Sequence, residues 1–233
     1  MEPDSHRKSF NSIYTRLRDR ICLLDYPPGT VLRESELAAE FGVSRTPIRA
    51  VLQKLSYDGL IESKDGVGNI VTELGYEEIF DIYQMRIKMA EWIGYARPRE
   101  LTDSDHDMAT ALKQRAKVLT QRFEIVEYWM INHDQHLLIA GVIGNSAMRQ
   151  MWDHFYYRAA RMWYQHVRAD SAGAAESLLS ETTEVARAIY EKNAIALGYV
   201  QSNYISYGLH HLTGESSPAV EDTLVPHFLL PLT

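Results

Sequence analysis

Two arginines and a threonine fall within five residues of one another in the stretch Val43-Ser44-Arg45-Thr46-Pro47-Ile48-Arg49, and together they have the chemistry to read a base pair. A guanidinium is a planar fork that matches guanine O6 and N7 in the major groove, a contact worth roughly 1–3 kcal/mol of discrimination, and threonine bonds base or phosphate. Such side chains must project from a helix that enters the groove, and the spacing around them supplies one. Ile48, Val51, Leu52 and Leu55 recur at i, i+3, i+4 and i+7, an inward stripe that leaves Arg45, Thr46, Arg49 and Gln53 on other faces. Ser44 is expected to cap this helix by accepting hydrogen bonds from the exposed amides of its first turn, with Pro47 inside that turn, where its missing N–H costs nothing. Upstream, Leu37, Ala38 and Phe41 mark a shorter helix that Gly42 can end in a left-handed residue. Downstream, residues 60–63 and 69–72 read as two strands joined by Lys64-Asp65-Gly66-Val67-Gly68. The expected unit is a winged helix-turn-helix with a small two-stranded wing, a device for setting a helix into duplex DNA.

A second group of chemistry-bearing residues lies beyond position 75. Arg86 falls on the inward side of a helix marked by Ile79, Ile82, Tyr83, Met89, Ala90 and Ile93, where an unpaired guanidinium would be costly to bury. It therefore needs a partner, either a bound anion or an internal acid such as Asp81, Glu91 or one on a neighbouring helix. His133, Asp134 and His136 lie within four residues, and His210 and His211 are adjacent. These suggest a metal-dependent enzyme as the opposing reading. However, two histidines at i and i+3 supply only two ligands, the glutamate of the metalloprotease pattern is missing, and adjacent histidines point to different faces. Nor is there a glycine-rich phosphate loop after a strand, a Gly-x-Ser-x-Gly elbow or a cysteine-based site, so no catalytic machinery is visible. The remaining opposing reading is a non-regulatory helical protein that binds a metabolite.

The elements that position these residues divide into two parts. Residues 1–72 hold ten basic and ten acidic side chains, so the whole net charge of −7 falls on residues 73–233. A neutral DNA-reading module depends on local placement, with Arg7, Lys8, Arg45, Arg49, Lys54 and Lys64 facing the duplex and Glu34, Glu36 and Glu40 turned away. From Tyr76 to about Leu212 the pattern is almost entirely amphipathic helix, with further helices expected near 103–118, 122–143, 146–168, 174–191 and 193–212 and a proline-containing tail from Gly214. The fold class is mainly α. Residues 1–75 form a winged helix-turn-helix domain with its linker, and residues 76–233 form an all-helical bundle of about six helices. The single Cys22, beside Ile21 and Leu24, is expected in a core position. No run of ~20 apolar residues suits a membrane span, and Met1-Glu2-Pro3-Asp4-Ser5 has no apolar signal core, so a cytoplasmic protein is expected.

The motifs Pro27-Pro28-Gly29, Leu32-x-Glu34-x-x-Leu37-Ala38, Val43 to Arg49, Leu52-x-x-Leu55, Asp58-Gly59-Leu60 and Gly66-x-Gly68 resemble the GntR family of bacterial transcriptional regulators. The resemblance implies that Arg45, Thr46 and Arg49 read base edges and phosphates, and that Gly66 at the wing approaches the minor groove. Many members carry arginine where this chain has Ser35, so a contact there is missing or moved to Arg33. The helical part resembles the FCD effector domain of the FadR subfamily, through Arg86, His136 with Asn145, and the Ala-Ile-x-x-x-Asn-x-x-x-Ala turn of residues 188–197. Many FCD domains hold a divalent metal through an aspartate and three histidines. Those positions fall here on Asn132, His136, Thr182 and Tyr204.

One imidazole, an amide, a hydroxyl and a phenol cannot match that donor set, so the family metal site is expected to be lost and no cofactor is expected. The four side chains become an uncharged polar set suited to a small organic ligand. The resemblance also points to Arg86 as a carboxylate clamp, with Arg158 and Arg161 as lesser contributors. The implied partners are an inverted-repeat DNA operator read by a homodimer, and a small-molecule effector, an organic acid or related carboxylate, that changes the spacing of the heads through the 73–75 linker.

Overall fold

The computed structural model describes residues 3–167 and 169–213, with side chains from 10 to 210 apart from 165, 166 and 168. The expected tail from Gly214, and the side chains of Arg7, Lys8 and His211, lie outside the described residues. The elements run α1 (Pro3–Cys22), β1 (Val31–Leu32), α2 (Glu34–Phe41), α3 (Arg45–Tyr57), β2 (Ile61–Lys64), β3 (Gly68–Val71), α4 (Tyr76–Glu91), α5 (Asp103–Leu119), α6 (Ile125–Val142), α7 (Ser146–Val167), α8 (Ser171–Tyr190) and α9 (Ala194–Thr213).

The head forms as the apolar spacing requires. Ile48, Val51, Leu52 and Leu55 are all at most 2% exposed and pack α3 onto Leu17 and Ile21 of α1. Burying each of these side chains contributes roughly 1.5–3 kcal/mol. The α2–α3 turn closes at Gly42, whose φ of 66° is left-handed, and the Val43 amide donates back to the Ala38 carbonyl at 3.0 Å.

The wing differs from the two-stranded expectation. β3 is the centre of a three-stranded antiparallel sheet in the order β1-β3-β2, with Val31 opposite Ile70 and Ile61 opposite Val71. β1 is two residues long, too short for side-chain alternation to reveal it, and its pairing partner is nearly forty residues away.

In the bundle α4 packs along α9 and α5 along α8, and α6 is enclosed among the others, with buried side chains on every face. The α4–α9 contact is close because glycines lie in it. A Cβ on Gly94 would fall 2.5 Å from the Ile195 Cα, and one on Gly198 would fall 2.6 Å from the Ala90 carbonyl oxygen. α5 begins with a capping box in which Thr102 and Asp105 bond each other's backbone amides, and Arg99 grips the same carboxylate at 2.7 Å through both terminal nitrogens.

Head and bundle share one continuous apolar core. Cys22 is fully buried and its thiol lies 3.8 Å from the Tyr157 carbonyl oxygen of α7. Arg18 of α1, 6% exposed, reaches into the bundle and donates to the Tyr157 hydroxyl at 3.1 Å, with its other terminal nitrogen 3.2 Å from His133 Nε2.

Candidate functional site

Two sites emerge, one on the head and one inside the bundle. On the head, the N-terminal end of α3 carries Ser44, Arg45, Thr46 and Arg49, all exposed. Ser44 is the N-cap residue in extended conformation, yet its hydroxyl makes no capping hydrogen bond. Pro47 is the reason: at the third helical position it removes an amide that an N-cap side chain ordinarily bonds. The Ser44 hydroxyl is thereby left for an outside partner.

Arg49 donates to both oxygens of Glu34, at 3.0 and 2.9 Å, and Arg33 donates to Glu36 at 3.1 Å. The expectation that these glutamates turn away from the reading face is therefore corrected: both sit against its arginines. The Arg49 hydrogen bond, with the Arg45 charge adding, holds the Glu34 carboxyl below its usual range. Glu40 pairs instead with Arg20 of α1 at 2.5 Å.

Lys54 is placed apart from these residues. Nine residues on from Arg45, roughly 14 Å along the axis, it pairs with the buried Asp58 at 2.5 Å, and Asp58 also accepts from the Tyr14 hydroxyl at 2.7 Å. Lys64 and Gly66 lie at the exposed wing tip, where Gly66 has a φ of 76° and open space around it.

Inside the bundle, Arg86, Asn132, Gln135, His136, Glu181, Gln201 and Tyr204 line a chamber of about 20 Å³. The Arg86 guanidinium is 5.4 to 5.8 Å from the ring centres of Tyr83, Trp163 and Tyr156, a cation–π enclosure, and its Nε has no hydrogen-bond partner. Neither Asp81 nor Glu91 pairs with it. Among the described residues no carboxylate lies within 4 Å of Arg86; Glu91 bonds Lys88 instead. Burial pulls the Arg86 pKa down while Tyr83, Tyr156 and Glu181 raise it.

The four positions matched to the family metal site are not all brought together. Asn132, His136 and Tyr204 reach the chamber, whereas the Thr182 hydroxyl turns back to the Leu178 and Leu179 carbonyls of its own helix, at 2.8 and 3.0 Å. The Asn132 amide donates to the Tyr128 carbonyl at 2.8 Å, and His136 Nε2 sits 2.7 Å from Asp153 with its ring stacked 3.9 Å over Tyr156. His133 lies nearly one turn earlier, against Arg18, and shares the Tyr156 and Tyr157 rings with His136; burial followed by that guanidinium lowers it to about 3. A cation would be repelled there. This donor set does not fit a transition metal.

Arg158 and Arg161 do not line the chamber either. Arg158 pairs with Glu78 at the start of α4, and Arg161 donates to the Thr72 carbonyl at 2.5 Å and to its hydroxyl at 3.0 Å. Arg161 thus clamps the head to the bundle, whereas the Arg158 pair joins α7 to α4 within the bundle.

Sequence reasoning missed Glu181. It accepts from the Gln135 and Gln201 amides, each at 2.8 Å, and burial pushes its carboxyl up to about 6 against the pull of those amides and of Arg86. It borders both the chamber and an outer cavity of 250 Å³ between the end of α7, the start of α8 and α9.

Residues 10–71 match the gntR family of bacterial regulatory proteins, and residues 81–200, half of the chain, match the FCD domain. The chain belongs to the GntR family. Curated relatives agree. An uncharacterised helix-turn-helix regulator, YdhC of Bacillus subtilis, is 28% identical over 145 residues, 60% of this chain and 63% of that protein. The gluconate operon transcriptional repressor of Bacillus licheniformis is 30% identical over 138 residues, 59% of this chain and 56% of its own length. The chain thus spans less than two thirds of the first of these curated relatives. Two solved structures share the whole fold: McbR/YncC of Escherichia coli, with TM-score 0.74 and 16% identity over 88% of this chain and 97% of that one, and a GntR regulator from Rhodococcus sp. RHA1, with TM-score 0.66 and 19% identity over 89% and 99%. Among the described residues no helix is long and apolar enough to cross a membrane.

Proposed function

We propose that this GntR-family chain is a ligand-responsive bacterial transcriptional regulator and not an enzyme, working in the cytoplasm as a dimer whose two heads read an inverted repeat. The observation that carries the reading is the exposed cluster of Ser44, Arg45, Thr46 and Arg49 at the N-terminal end of α3, beside a glycine-tipped wing. Helix N-terminal side chains are the ones that reach base edges in this architecture. A second copy is supported by α4 and the turn after it, which present Tyr76, Phe80, Trp92 and Tyr95 outward at 37 to 67% exposure.

The effector site is the Arg86 chamber. An aromatic-walled guanidinium with no carboxylate against it suits a carboxylate group, and the chamber's size suits that group alone, with the rest of the molecule extending outward. No resident metal takes part in this reading, because the family positions offer one imidazole, an amide, a hydroxyl and a phenol instead of three imidazoles and a carboxylate. The response reaches the head through α7 and α1: Tyr156 borders the chamber, stacks on His133, and His133 meets Arg18. This route acts beside the 73–75 linker, whose preceding residue Thr72 is held by Arg161.

Fluorescence anisotropy with a labelled duplex from the gene's own upstream region tests the reading. Arg45→Ala and Arg49→Ala should each weaken specific binding about tenfold or more with helix content and oligomeric state unchanged. Undiminished specific affinity in both variants would remove the reading role from α3.

A further inference from the structure

The outer cavity has a composition that the carboxylate reading does not use. Its 250 Å³ holds a molecule of several heavy atoms, and its walls carry four aromatic rings, Tyr128, Trp163, Tyr204 and Tyr207, with two acids, Asp170 and Glu181. Among its described lining residues there is no lysine, arginine or histidine. Glu181 is near enough for its charge to raise the pKa of both Tyr128 and Tyr204. The partners of Glu181 are two neutral amides, and among the described residues no cationic group lies within 4 Å of it. The backbone adds to the same sign. The last turn of α7, with Trp163 and Val167, brings a negative helix end to the wall, while the positive end of α8 is capped by Asp170, which accepts from the Gly173 amide at 3.0 Å. Aromatic faces beside a counter-charge are what an organic cation selects.

We propose that this cavity binds a small organic ammonium ion, with Glu181 as the counter-charge and Trp163, Tyr128, Tyr204 and Tyr207 as its cation–π walls. Arg86 lines the inner space and not the outer one, although it lies 5.5 Å from the Trp163 ring that borders both. Trp163, Glu181 and Tyr204 border both spaces, so a molecule carrying an ammonium and a carboxylate sets each group against its opposite charge. The proposal rests on the cavity alone and stands whether or not occupancy alters DNA binding.

Calorimetric titration of the full chain, without DNA and at matched ionic strength, compares n-hexylammonium chloride with hexan-1-ol and sodium hexanoate. The ammonium should saturate one site per chain with at least about tenfold tighter binding than the uncharged alcohol, an asymmetry set by charge pairing rather than size, while hexanoate reports on the separate Arg86 chamber. Glu181→Gln, checked for folding by circular dichroism, should remove that advantage. Tyr207→Leu should weaken the ammonium about threefold or more while Tyr207→Phe retains it, because the phenylalanine ring keeps its face. Equal binding of the alcohol and the ammonium, or full ammonium affinity in Glu181→Gln, overturns the proposal.

Discussion

Glu181 offers the sharpest thermodynamic test of the bundle. Its carboxyl rises from 4.5 to about 6 in the folded chain, chiefly through burial. The groups that face it are Arg86 on α4, Tyr128, Gln135 and His136 on α6, Glu184 on α8, and Gln201 and Tyr204 on α9. A raised carboxyl binds its proton more tightly folded than unfolded, so its contribution is most favourable below the unfolded value and is lost as pH climbs through 6. The shift corresponds to about 1–2 kcal/mol at neutral pH, the lower end reflecting the residual solvent that Glu181 keeps at the rims of two cavities. Glu181→Gln retains an oxygen for the Gln135 and Gln201 amides and removes the charge. Urea unfolding at pH 4.5, 6 and 7.5 should show the variant more stable than the parent by that amount at pH 7.5, with the difference shrinking toward zero at pH 4.5. A variant that is no more stable at pH 7.5, or a difference independent of pH, refutes the argument that burial holds this carboxylate at a cost.

Three further outcomes are expected from the geometry. Arg18→Ala leaves the Tyr157 hydroxyl and His133 Nε2 short of a partner at a buried junction and should cost about 2–3 kcal/mol in urea unfolding, with Arg18→Lys recovering little because an ammonium cannot make both contacts. Asp105 is held far below its usual range, first by Arg99, so its contribution is fully present above the unfolded value near 3.8 and is lost progressively as pH falls from there through the folded value. Asp105→Asn should accordingly lower the urea midpoint most at pH 6, with the difference narrowing steadily as pH falls below 3.8. Glu34→Gln frees Arg49 from its bidentate partner and should tighten DNA binding by up to about fivefold at low salt, with a steeper salt dependence in the anisotropy titration.

The parts of the fold that could be read directly were those whose signal is local. The α3 stripe, the Gly42 turn and the six helices of the bundle announce themselves within windows of ten to twenty residues, because one apolar face decides each of them. The Ser44 cap expected from the sequence does not form, and Pro47, which supplies no amide at the third helical position, is the residue that reading overlooked. What escaped notice depends on pairings between distant segments. β1 exists only because β3 lies beside it. Arg18 sits in a run of alternating charges that looks solvated, although its place four residues before the core Cys22 puts it on the buried face of α1. Glu181 resembles any polar residue on an amphipathic helix, and its significance comes from Gln135, Gln201 and Arg86, which are 46, 20 and 95 positions away and converge only after folding. Arg158 and Arg161 show the reverse error. Their charge suggested a ligand, and the third dimension assigns them to Glu78 and Thr72.

The α1 helix has two neighbours with different obligations, α3 below it and α7 beside it. A chimera that joins residues 3–72 to an unrelated helical body would strand the Arg18 guanidinium and the Cys22 side chain against a surface never shaped for them. Transfer of this head is thus restricted to recipients that already offer a phenol and an imidazole at the matching places.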